Sequence, residues 1–292
     1  MRKFSFVTVD VFSSRPLEGN QLAVFTDARG LSDAEMQAIA LEMRLSETTF
    51  VIPRDAAVER ERGIQVRIFT IAEEMPFAGH PTLGTAFVIA NAHNVDEVAL
   101  DLKVGKIPVI FKTTPDGLFG EMTQRDPEFG KIHDPKEIAE ATGIHLADIQ
   151  TALPIQTVST GFAFAIVPLR SLETLSKLEI DLKRAYNYLA TTDAAQFFFV
   201  TSDSERKAGL RARMLFYGGE DPATGSASGC AAAWMVGHRL AKPDEQVLIT
   251  QGVEMKRPSR IFVRASLDGA RVHNVRVGGH CVEVVRGELT LP

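Results

Sequence analysis

Two cysteines in 292 residues, Cys230 and Cys281, are too few and too far apart for a disulfide framework or a CxxC redox pair. They fit a reduced, cytoplasmic setting. The seven histidines form no HxH, HxxxH or HExxH spacing, so the common zinc motifs are excluded. GxGxxG and GxxxxGK[ST] are both lacking, which removes the usual dinucleotide and P-loop signatures, and no serine sits in a GxSxG elbow. A net charge of −5 gives no electrostatic basis for binding nucleic acid or an anionic membrane surface. No apolar run reaches the length of a membrane span. The N-terminal MRK is followed by alternation (Phe4, Phe6, Thr8) interrupted at Asp10, which is a strand pattern and not a signal sequence. The expectation is a cytoplasmic protein with neither membrane nor nucleic-acid partner.

What is present is a near-repeat at half the chain length. RIFTIAEEMPFAGHPTLGTAF from Arg67 lies without gaps over RMLFYGGEDPATGSASGCAAA from Arg213, an offset of 213 − 67 = 146 in a chain of 292. The register pairs Arg67 with Arg213, Glu74 with Glu220, Pro76 with Pro222, Gly79 with Gly225 and Ala86 with Ala232. Each copy reads as a strand, a Pro/Gly turn, and a helix opening on small residues. Such a helix start offers unpaired backbone N–H groups to an anion. Two copies facing each other would hold one small acidic molecule between two domains.

Length alone favours two domains of about 150 residues. Their expected bounds are 1–118 and 130–292, with the terminal strand crossing back to the first, and the linker falls near Asp116–Asp134. Strands are predicted at residues 4–12, within Gly19–Asp27, at TTFVI, and at Val66–Thr70. Ser32 with Glu35 reads as a capping box opening a helix to about Met43, whose inner face is Met36, Ile39, Ala40 and Met43. Asp134 and Pro135 open a helix in the second half, and another is expected near Leu182–Leu189. LGTAFVIANA and GCAAAWMVGHRL are apolar nearly all round, so each helix must run through the middle of a domain. VLITQG, RIFVRAS, VRVGG and CVEVVRG read as four short closing strands.

Three places can carry chemistry. In GGEDPATGSASG, Asp221 precedes a proline and Gly225 and Ser226 allow close approach to backbone N–H groups; the alternative is a strand–helix turn that needs small residues only for packing. In MPFAGHPTLG, His80 beside Gly79 can donate to an anion or pass a proton near neutral pH, or simply cap its own helix. In RLSETTFV, Glu47 stands between a helix and a strand, where partial desolvation suits general acid–base chemistry; a solvated surface carboxylate is the plainer reading.

VDVFSSRPLEGNQLAVF, LSETTFV, PFAGHPTLGTAFV, GEDPATGSA, QGVEMKRPSRIFV and VGGHCVEV, in this order, resemble the PhzF-like family of phenazine-biosynthesis proteins along nearly the whole chain. The resemblance implies the diaminopimelate epimerase and proline racemase fold: two similar α/β (α+β) domains, each a curved, barrel-like sheet around a central apolar helix, with the active site in the cleft between them. It implies an isomerase similar to trans-2,3-dihydro-3-hydroxyanthranilate isomerase, with no cofactor and no metal, acting on a small carboxylate and forming a homodimer. By motif, Glu47 is then the general acid–base, His80 and Asp221 join it as catalytic residues, and Asn20, Gly79, Gly225 and Ser226 bind substrate. The two catalytic cysteines of the epimerases fall on Ala78 and Thr224, so a two-thiol racemase is not expected. Gln21 stands where the family more often has proline. An amino-acid epimerase using Glu47 and a non-catalytic carboxylate-binding protein are the rivals.

Overall fold

The computed structural model describes residues 1–203 and 209–292, and the chain divides into two units. One comprises Met1–Thr123 with Gly278–Pro292, the other Gln124–Val277.

Alternation puts Val7, Val9 and Val11 inward and makes β1 (Arg2–Val11) the first strand of the first unit. It is followed by β2 (Asn20–Phe25), α1 (Asp33–Met43), β3 (Glu47–Ile52), α2 (Ala56–Arg62), β4 (Ile64–Thr70), β5 (Glu74–Met75), α3 (Gly79–His93), β6 (Glu97–Leu102), β7 (Gly105–Thr114) and β8 (Gly117–Thr123). The sheet runs β1-β2-β3-β4-β6-β7-β8, with β2–β3 and β4–β6 parallel and the other neighbours antiparallel. The capping box forms as read: Ser32 Oγ accepts the Glu35 N–H, and Glu35 Oε2 accepts the Ser32 N–H at 2.8 Å. Met36, Ile39 and Ala40 then pack on Phe25, Phe50 and Phe69, burying the expected face of α1.

Every residue of α3 from Gly79 to Ala90 is buried. The helix fits because Gly84 lacks a side chain; a Cβ there would meet Leu22 Cδ2 and Val11 Cγ2 at 2.7 Å. Buried hydroxyls are paired on the way, with Thr85 Oγ1 2.8 Å from Thr49 Oγ1.

In the second unit come β9 (Glu128–His133), α4 (Pro135–Thr142), β10 (Ile155–Ser159), β11 (Ala163–Pro168), α5 (Leu172–Ser176), α6 (Leu182–Leu189), β12 (Gln196–Ser202), β13 (Gly209–Arg213), β14 (Leu215–Phe216), β15 (Gly219–Glu220), α7 (Gly225–Gly237), β16 (Val247–Gln251), β17 (Ser259–Asp268) and β18 (Arg271–Leu291). The order is β9-β10-β11-β12-β13-β16-β17-β18, and here too the crossovers β11–β12 and β13–β16 are the parallel steps. The two units thus repeat one topology. Their central helices start 225 − 79 = 146 residues apart, the offset of the sequence repeat. Each unit is a curved sheet wrapped on its own apolar helix.

Two expectations need correction, and one helix was not expected. Only residues 124–127 separate β8 from β9, so the region read as a linker is mostly strand. VRVGG and CVEVVRG belong to one strand of 21 residues, β18, and not to two. The glycines do not break it because Gly278 lies against a neighbouring strand's backbone: a Cβ there would meet Gly120 O at 2.6 Å. Finally, α2 was invisible to periodicity because none of its seven residues is buried. From Gly278 on, β18 serves the first unit, where its Cys281–Leu291 stretch pairs with β1. Among the described residues no helix is long and apolar enough to cross a membrane.

Candidate active site

Glu47 is the first residue of β3. The chain leaves α1 through Arg44 in the left-handed region (φ 52°) and reaches Glu47 three residues later, between Leu22 of β2 and Thr70 of β4. Its side chain is 18% exposed. His80 is the second residue of α3, and its ring is almost wholly enclosed, at 5%. The two meet, with His80 Nε2 3.4 Å from Glu47 Oε2.

Behind the histidine lies Asn20, 1% exposed, whose Nδ2 is 3.2 Å from His80 Nδ1. Asn20 is delivered there by Gly19 at φ +71°, where a Cβ would strike Val11 O at 2.3 Å; only glycine permits this approach. With the amide in this orientation, Nδ2 has only protons to offer, so Nδ1 accepts and a neutral ring keeps its proton on Nε2, facing the carboxylate. Burial pushes the His80 pKa down to about 3, and contact with the Gln21 backbone opposes this more weakly. The positive end of α3 also disfavours an imidazolium. The pair is therefore a neutral imidazole with Nε2 3.4 Å from a carboxylate oxygen, close enough to approach it but with no hydrogen bond formed between those two atoms. Gln21, the departure from the family pattern, lies in β2 opposite Asp10 and leaves the strand regular.

In the second unit, Thr224 is the residue that precedes α7, as Ala78 precedes α3. Its hydroxyl donates to Asp221 Oδ2 at 2.7 Å. Gly225 and Ser226 are the first two helical residues, and Ser226 is the one residue of 225–236 that is not buried. The turn is gripped by a residue the sequence reading passed over. Gln251, wholly buried at the end of β16, accepts the Thr224 N–H at 3.0 Å and donates through Nε2 to the Asp221 carbonyl at 2.7 Å and to Thr224 Oγ1 at 2.9 Å. The signal was the QG pair: Gly252 has φ +75°, and a Cβ there would meet Pro222 O at 2.6 Å.

The paired Arg and Glu of the repeat have a structural task. Arg67 forms a bidentate pair with Glu74 (2.7 and 2.7 Å), and Arg213 pairs likewise with Glu220 (2.8 and 2.8 Å). Each pair ties the strand before the turn to the segment that leads into the helix. The Arg67 guanidinium holds the Glu74 carboxyl below its usual range.

The structure thus joins Asn20, Glu47, Gly79 and His80 in the first unit, and Asp221, Gly225 and Ser226 in the second. Cys230 lies inside α7 against Thr160 and the Phe162 carbonyl, its thiol pushed up to about 11 by burial, as an inert core residue should be. Among the described residues, no group of three or more His, Cys, Asp or Glu side chains is placed to hold a metal ion.

The profile of a family described as phenazine biosynthesis-like protein matches residues 9–287. The chain is 34% identical over 290 residues to the trans-2,3-dihydro-3-hydroxyanthranilate isomerase of Pseudomonas aeruginosa, spanning 98% of this chain and 99% of that protein. It is 35% identical over 292 residues to the protein of the same name from Pseudomonas fluorescens, again spanning 98% and 99%. Among solved structures, a predicted epimerase from Pseudomonas aeruginosa superposes with a TM-score of 0.84 at 35% identity, over 99% of this chain and 100% of that one. A hydroxyproline epimerase from Agrobacterium vitis shares the fold alone, with a TM-score of 0.66 at 11% identity over 99% and 92% of the two chains.

Proposed function

Because this chain belongs to the phenazine biosynthesis-like family and is an isomerase, we propose that it moves a proton within a small carboxylic acid, without a cofactor, using Glu47 as the general acid–base. The substrate of its named relatives, trans-2,3-dihydro-3-hydroxyanthranilate, is the first to try. The observation that carries the reading is the approach of a buried, neutral His80 to Glu47 at 3.4 Å.

In this mechanism the Glu47 carboxylate takes a proton from a carbon made acidic by the neighbouring alkene. The C–H electron pair moves into the allylic system, and the double bond shifts. The carboxylic acid so formed exchanges its proton with solvent and returns a proton to the far carbon, so substrate and product are isomers and the enzyme is regenerated. The Nε2–H of His80, with its ring held by Asn20, faces the carboxylate and stabilises its charge before the proton is taken and after it is returned. Gly79, at the start of α3, and Gly225 and Ser226, at the start of α7, offer backbone N–H groups to the substrate carboxylate. Asp221 accepts a hydrogen bond from the substrate's amino or hydroxyl group. An epimerase working through two thiols is disfavoured, since the residues preceding α3 and α7 are Ala78 and Thr224.

The test follows deuterium incorporation from D₂O by NMR with trans-2,3-dihydro-3-hydroxyanthranilate as substrate. Uptake by the wild type that is lost in Glu47→Gln supports the assignment. Equal uptake by both would remove Glu47 from the chemistry.

A further inference from the structure

Every hydrogen bond of the Gln251 amide among the described residues goes to the turn that carries Asp221. Its oxygen takes the Thr224 N–H at 3.0 Å; its two protons go to the Asp221 carbonyl at 2.7 Å and to Thr224 Oγ1 at 2.9 Å. That last bond has a consequence for the hydroxyl. A threonine hydroxyl owns one proton, and amide Nε2 can only donate, so Oγ1 must accept from Gln251. Its proton is then committed elsewhere, and Asp221 Oδ2 lies 2.7 Å away. The direction of both bonds is thereby fixed, from Gln251 through Thr224 to the carboxylate.

A second, independent observation shows that the amide is held rigidly. Gln251 is wholly buried, paired with Ser259 on one side and Ala212 on the other. The next residue, Gly252, is pressed against Pro222 so closely that a Cβ would meet its carbonyl at 2.6 Å and the Arg257 carbonyl at 2.4 Å. The end of β16 and the Asp221–Pro222 step are packed backbone to backbone.

We propose that Gln251 and Thr224 are positioning residues, which together hold the Asp221 carboxylate in one orientation as a hydrogen-bond acceptor for the substrate. This rests on the reading of Asp221 given above. Neither residue needs to touch the reacting atoms. A hydroxyl whose proton is already assigned cannot turn to compete with the substrate for Asp221 or offer itself as an alternative donor. Loss of either residue frees the carboxylate to rotate, and the cost appears in substrate positioning.

The experiment compares Thr224→Val, which keeps the shape and loses the hydroxyl, with Thr224→Ser, which keeps the hydroxyl. Gln251→Glu, which replaces the donor amide, and Asp221→Ala complete the set. With trans-2,3-dihydro-3-hydroxyanthranilate, Asp221→Ala, Thr224→Val and Gln251→Glu are each expected to lower kcat/KM by about tenfold or more, the usual worth of a hydrogen bond to a charged group. Thr224→Val placed on Asp221→Ala should cost nothing further, because the partner it serves is gone. In parallel, the carboxyl carbon of Asp221 is titrated by NMR. Its midpoint should rise in Thr224→Val and return in Thr224→Ser, a change that mere loss of stability does not produce. An unmoved midpoint, or wild-type kcat/KM in Thr224→Val and Gln251→Glu beside an impaired Asp221→Ala, overturns the positioning role and leaves Asp221 standing. Wild-type kcat/KM in Asp221→Ala overturns the reading of Asp221 itself. The titration decides whether Thr224 holds the carboxylate even if that substrate is not turned over.

Discussion

Acid should expose the neutral state of His80 directly. The ring is 5% exposed and its folded pKa is pushed down to about 3, against about 6.5 in an unfolded chain. Below pH 6.5 the unfolded state therefore takes up a proton that the folded state refuses, and stability falls by about 1.4 kcal/mol per pH unit. The fall ends near pH 3, where the folded ring protonates as well. At pH 4.5, two units below the unfolded value, His80 alone accounts for about 2.7 kcal/mol, and over the whole window for about 3.5 × 1.36, or roughly 5 kcal/mol. The assay is urea unfolding of the wild type and His80→Gln at pH 7.5 and 4.5. His133 and His238, also pushed down by burial, and the paired carboxylates titrate in both proteins and cancel in the difference. The loss on acidification should be about 2–3 kcal/mol smaller in the variant. Equal losses would refute a buried neutral imidazole. A larger loss in the variant would mean that His80 is an imidazolium bound to Glu47, with a raised pKa, and that its ion pair supports the fold at low pH.

Glu47→Gln should lower turnover by at least ~10²-fold, the ordinary weight of a general acid–base, with an unchanged urea midpoint. The two bidentate pairs of the repeat should not respond alike. Arg213→Ala leaves Glu220, 13% exposed, without its cation and should cost about 3–5 kcal/mol in urea unfolding. Arg67→Ala should cost clearly less, because Lys103 Nζ remains 2.7 Å from Glu74; equal losses would contradict this. Both cysteines are buried, with thiols pushed up by that burial. They should react with a thiol reagent only at the rate of unfolding, and a fast-reacting thiol in the native protein would refute their burial.

The parts of this molecule that the sequence displays are those set by local rules. The capping box at Ser32 needs only four neighbouring residues, and it forms as read. The two helices apolar on all sides can only be central, and they are. The 146-residue offset survives as an equal spacing of helix starts because each copy takes 12 residues from its arginine to the first helical residue (79 − 67 and 225 − 213). What stayed hidden depends on distant partners. Gln251 is separated from Thr224 by 251 − 224 = 27 residues, and nothing about a glutamine at a strand end reveals which turn it will grip. The partner of Asn20 was equally hidden: its amide lies 3.2 Å from His80 Nδ1, across 80 − 20 = 60 residues, a contact set by the packing of β2 on α3. The single long β18 was missed because two consecutive glycines usually end a strand, whereas here Gly278 makes room for Gly120.

The strand β18 also governs the order in which the two units can be completed. Arg2 lies opposite Leu291 in the β1–β18 ladder, a separation of 289 residues. During vectorial synthesis, β1 must therefore wait for the far half of β18, while residues 124–277 form a continuous unit of their own. The second unit is free to fold as soon as it emerges, and the first is left with an open seam beside β1 until Cys281–Leu291 arrives. A contact this remote carries the largest loop-closure cost in the molecule, and closing it is the slow event that a refolding experiment should detect. The unit that holds β1 is begun before the other and sealed after it.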